Sequence, residues 1–132
     1  MCLSPIGLVR QMPRRIQPNA EEKRWLSSVV ELAQEKGCIA TGNFPFEIHH
    51  VLGRTARHNK VDVGHWFIIP VWFDLHHIDT GNPDNVTHYP KRFTAKYGLQ
   101  TALFAQMVET LENRGYKIPP AEVLEAIADT GK

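Results

Sequence analysis

Apolar positions recur at helical spacing in three stretches of the chain and give way between them to shorter runs rich in β-branched and aromatic residues. The first stretch carries Trp25, Val29, Leu32 and Ala33 on one stripe. Asn19 precedes it as an N-cap, Glu22 three residues on completes a capping box, and Gly37 ends it, so the pattern predicts an amphipathic helix over about 20–36. Leu103, Phe104, Met107, Val108 and Leu111 define a second helix over about 99–114, closed by Gly115. Val123, Leu124 and Ile127 define a last one after Pro119 and Pro120. A shorter helix is predicted in "PKRFTAKYG", with Pro90 at its start and Gly98 at its end. These stripes read as core packing.

Between Gly37 and Pro90 the rhythm changes. "CIATG" and "FPFEIHHVLG" suit strand and loop. "GHWFIIPVWF" is a second apolar run in which Pro70 predicts the end of a strand and the start of a helix near Val71. "GRTARHNK" reads as a basic loop and "DTGNPDNVTHYP" as a turn-rich loop. Residues 1–18 hold three prolines and Arg10, Arg14 and Arg15 without periodicity, which predicts a flexible basic arm ahead of a single domain over 19–132.

Composition narrows the class without naming a function. The chain has 132 residues and a formal net charge of +1, so overall charge selects no polyanionic partner. Two cysteines, Cys2 and Cys38, form no zinc-knuckle spacing and no disulfide framework, which fits a reducing cytoplasm. The opening residues lack the apolar core of a signal peptide, and no run approaches the roughly 18 apolar residues of a membrane helix.

The histidines carry the chemistry. All seven lie between Glu47 and His88: the doublets His49-His50 and His76-His77, with His58, His65 and His88. Successive side chains of a strand point to opposite faces, so two adjacent imidazoles cannot both bind one metal ion. A doublet therefore divides labour: one ring ligates a divalent cation while its neighbour deprotonates water. The cluster Arg54, Arg57, His58 and Lys60 holds no acid and suits phosphate contact. Lys91, Arg92 and Lys96 extend the same basic character.

"IHHVLG", then "GHWFIIPVWFDLHH", then a histidine before "KRFTAKYG" resembles the HNH, or ββα-metal, endonucleases over about residues 45–100. The likeness is nearest to phage recombination-enhancement nucleases of the Ref type and related phage HNH proteins. The resemblance implies an α+β fold with a ββα-metal (His-Me finger) unit at about 45–98, flanked by several α-helices. It implies DNA as substrate and one divalent ion as cofactor (Mg, Mn, Zn, Ni or Co). It further implies a bacterial cytoplasm with phage or prophage origin, and a RecA-type recombinase filament as a partner.

Carried over by position, His50 is the general base, and His49 and His76 are metal ligands. His88 is a third ligand with His77 as its competitor. His65 stands near the place of an Asn that orients the base. Trp72 and Leu75 occupy positions where many relatives carry zinc-binding cysteines, so apolar packing has to replace that staple. Asp74 and Asp79 are near enough in sequence to support ligand histidines, or are plain helix charges. The reading from another class is a non-catalytic nucleic-acid-binding module in which four of the histidines close around a structural zinc.

Overall fold

The computed structural model describes residues 16–132, a mixed α+β arrangement of five helices and two small antiparallel sheets. The predicted arm lies largely outside the described residues, including Arg10, Arg14 and Arg15. Helix α1 (Ala20–Lys36) begins at the capping box: Glu22 N donates to Asn19 Oδ1 and Asn19 N donates to Glu22 Oε1, each at 2.8 Å. Gly37 closes it at φ 72°, a left-handed value that disfavours a side chain.

Strand β1 (Phe46–His50) pairs antiparallel with β4 (Ile68–Trp72), placing Ile48 opposite Pro70 and His50 opposite Ile68. The expectation that Pro70 ends its strand fails. Its carbonyl points outward, accepting from Ile39 N at 2.9 Å, so the ring nitrogen also faces away from β1 and the ladder loses no donor. The chain turns helical only afterwards, in the single turn α2 (Phe73–His76). The basic loop is more ordered than expected. Strands β2 (Arg57–His58) and β3 (Val61–Asp62) form a tight hairpin through Asn59 and Lys60, whose φ values of 52° and 66° are those of a two-residue primed turn.

Helices α3 (Pro90–Tyr97), α4 (Gln100–Asn113) and α5 (Ala121–Asp129) follow the predicted spans closely. Helices α1 and α4 pack on β4, α2 packs against β1 and β4, and α5 against β3. The buried cluster joins Trp25, Val29 and Leu32 of α1 to Phe67, Ile68, Ile69 and Val71, and to Phe104, Met107 and Leu111 of α4. Trp25 Nε1 donates to the Trp66 carbonyl at 3.0 Å, so this large ring is buried without an unmet donor. Leu75 is 1% exposed and Trp72 packs against the same cluster. Apolar packing thus holds the β4–α2 junction at the two positions considered for cysteines. Among the described residues no helix is long and apolar enough to cross a membrane.

Candidate functional site

Strand period two puts Glu47 and His49 on one face of β1 and His50 on the other, and the structure gives each face its own partner. On the first face the rings of His49 and His76 meet edge to face, with centroids 4.9 Å apart. His76 Nδ1 donates to Glu47 Oε1 at 2.6 Å. A carboxylate only accepts, so Nδ1 carries a proton toward Glu47 and Nε2 is the other end of the ring. On the second face the His50 and His65 rings lie 5.4 Å apart at 85°. His65 is 7% exposed, and its Nε2 donates to the Ile16 carbonyl at 2.6 Å.

Both members of the first doublet stay neutral near pH 7. Burial pushes His49 down to about 4; the neighbouring His76 adds to this, and the Gln100 amide works in the opposite direction. Burial also pushes His50 to about 4, helped by His65 and by the charge of Arg54. Neutral imidazoles are the form that binds a metal or accepts a proton.

The other predicted ligands are held elsewhere. His77 stacks on Phe73 with centroids 4.6 Å apart, its Nδ1 3.5 Å from Glu47 Oε2 and its Nε2 3.6 Å from Asp79. His88 Nε2 donates to the Ile78 carbonyl at 3.1 Å. Among the described residues no three His, Cys, Asp or Glu side chains form a group able to hold a metal ion. Of the predicted ligands, the structure thus brings together the pair His49 and His76. Two imidazoles bound to one tetrahedral ion at about 2.0–2.1 Å hold their ring centres roughly 5 Å apart, and the observed pair fits that spacing.

A groove of about 720 Å³ passes His49 and His50 and is lined further by Lys91, Thr94, Gln100 and Lys132. Of the predicted phosphate contacts, Lys91 therefore faces the doublet, and Arg54 is near enough to depress His50. Arg57, His58, Arg92 and Lys96 are engaged within the protein. Arg57 Nε is 3.0 Å from Asp62, and its guanidinium donates to the Lys60 carbonyl at 2.7 Å. His58 Nε2 is 2.9 Å from Asp129 on α5. Arg92 and Lys96 both approach Asp84, at 3.6 and 3.2 Å. Lys60 sits at the hairpin turn. Asp74 accepts from Asn82 at 2.7 Å and braces the loop after α2 instead of supporting a histidine.

Three residues of the site escape the motif reading. Glu47 orients His76, and strand periodicity was the signal that could have found it, since it shares the face of His49. Asn85, 1% exposed, donates to the His77 carbonyl at 2.9 Å and accepts from Thr87 N and His88 N, tying both histidine segments together. Gln100, at the start of α4, reaches the groove by tertiary packing with no local signal.

No protein-family model, curated protein or solved structure matches this chain.

Proposed function

We propose that the chain is a metal-dependent endonuclease that hydrolyses DNA phosphodiester bonds, with β1, β4 and α2 as an HNH-type ββα-metal unit. The carrying observation is the division of the doublet: His49 pairs with His76 on one face and His50 with His65 on the other. Such a split supports a metal-binding side and a base side that flank one reacting phosphate. His49 and His76 would hold the ion, and water or substrate oxygens would complete its shell. Bound there, the cation supplies Lewis-acid polarisation of a phosphate oxygen and charge neutralisation at the leaving oxygen. Imidazole ligands favour Mn, Co, Ni or Zn over Mg.

His50 accepts the proton of the attacking water. Its lowered pKa keeps the ring unprotonated, and an incoming phosphodiester anion raises that pKa toward the range where a general base works best. His65, fixed by the Ile16 carbonyl, packs edge-on against His50 and restricts its ring. Lys91 in the groove and Arg54 beside His50 provide cations for the flanking phosphates. The Ref-type resemblance extends the proposal to a cytoplasmic phage or prophage enzyme acting on strands presented by a RecA-type filament. The test is nicking of supercoiled plasmid across Mg, Mn, Co, Ni and Zn, with and without such a filament. Metal-dependent nicking is expected; none under any ion in either setting would overturn the proposal.

A further inference from the structure

His76 and His49 face each other, yet only His76 has an outer hydrogen-bond partner in place, the Glu47 carboxylate at 2.6 Å. The corresponding group for His49 is on α4. Gln100 is 5% exposed and lines the groove beside His49, and its Oε1 is buried with no hydrogen-bond partner among the described residues. An unmet buried acceptor costs about 1–3 kcal/mol, so a side chain kept in that state calls for a ligand or a neighbour that satisfies it. The position is held firmly: Gln100 N donates to the Lys132 carbonyl at 2.8 Å and opens a fourteen-residue helix packed on β4.

We propose that Gln100 is the positioning residue of His49: its Oε1 accepts the His49 ring N–H and fixes the tautomer whose other nitrogen faces His76. Glu47 and Gln100 then have matching tasks, each setting one imidazole of the pair from outside. Metal-binding histidines in general donate their second ring N–H to such a partner, which orients the ring and raises its basicity. The use of this geometry for a cation rests on the nuclease reading above; the tautomer assignment does not.

The experiment is long-range ¹H–¹⁵N correlation of the His49 ring in the chelator-treated full chain, followed by calorimetric titration with Co²⁺. It compares wild type with Gln100→Met, Gln100→Leu and Gln100→Glu. Wild type is expected to show a single His49 tautomer, and Met or Leu a mixture, with Co²⁺ affinity down roughly 10- to 100-fold. Glu, which keeps an acceptor, is expected to restore the single tautomer. If one apolar variant does not fold, the other and the Glu variant still decide the matter. An unchanged His49 tautomer in a folded apolar variant overturns the proposal. A single tautomer in wild type that Gln100 controls, without Co²⁺ binding or nicking, upholds it and overturns the nuclease reading instead.

Discussion

Glu47 and His76 are joined at 2.6 Å across β1 and α2, and Glu47 also lies 3.5 Å from His77. One carboxylate from a strand thereby sets the ring that begins the second doublet and touches its neighbour. Because α2 is a single turn, few bonds of its own fix the direction of His76, and the Glu47 contact supplies the orientation. Glu47→Gln keeps the shape but exchanges a charged acceptor for a neutral one, so metal affinity measured by calorimetry should fall several-fold. Glu47→Ala should lower it roughly 10- to 100-fold. Equal affinities in all three proteins would remove Glu47 from the site.

Acid should destabilise the metal-free protein through the first doublet. His49 and His50 titrate near 4 in the folded chain against 6.5 as free side chains. Between those values the unfolded chain takes up protons that the folded chain refuses, so stability falls as pH drops from 6.5 toward 4 and is unaffected by these rings above 6.5. The slope is at most about 1.4 kcal/mol per pH unit for each ring, and less for the half-exposed His50 because solvent screens it. Urea unfolding in chelator across this range should show the loss, and His49→Phe should reduce it.

Gly64 should tolerate no side chain. A Cβ there would lie 2.1 Å from the Arg54 carbonyl oxygen and 2.6 Å from that of Gly53, both backbone atoms that cannot swing aside. Gly64→Ala should therefore cost about 1–3 kcal/mol and lower the melting temperature by roughly 5–10 °C. It should also displace Arg54 from His50. A calorimetric scan matching wild type would show that the two loops separate freely.

The basic side chains should contribute unequally to DNA binding. Lys91 lines the groove beside the doublet, whereas Arg57 is engaged by Asp62 at 3.0 Å. In a His50→Ala background, Lys91→Ala should reduce the slope of log affinity against log salt by about 0.9 on duplex DNA. Arg57→Ala should change it far less. Fluorescence anisotropy over a salt series distinguishes the two.

Local signals carried most of the helical frame. The Asn19–Glu22 box, Gly37, Pro90 and Gly98 act on neighbouring backbone, so they are legible one residue at a time. Pro70 misled because its effect depends on which way its nitrogen faces, and that is fixed by the distant pairing with Ile48 and Ile39. The β2–β3 hairpin was hidden because Lys60, an unusual residue for a left-handed turn position, follows Asn59 where Gly is the common signal. At the site, the doublet at 49–50 was readable from strand alternation alone. The engagement of Arg57 by Asp62 follows from the hairpin that was missed, and the hold of Ile78 on His88 from the fold of the loop between them, whereas the His58–Asp129 pair and the placement of Gln100 arise from tertiary packing across long stretches of chain, which spacing does not encode.

The division of the doublet is tested most directly by His49→Ala and His50→Ala in parallel, each assayed for calorimetric Mn²⁺ or Co²⁺ affinity and for nicking at saturating metal. His49→Ala should lose metal and activity together. His50→Ala should bind metal as wild type does while nicking falls on the order of 10²- to 10⁴-fold. Equal loss of metal in both variants, or wild-type nicking by His50→Ala, would contradict the assignment of the two rings to separate tasks.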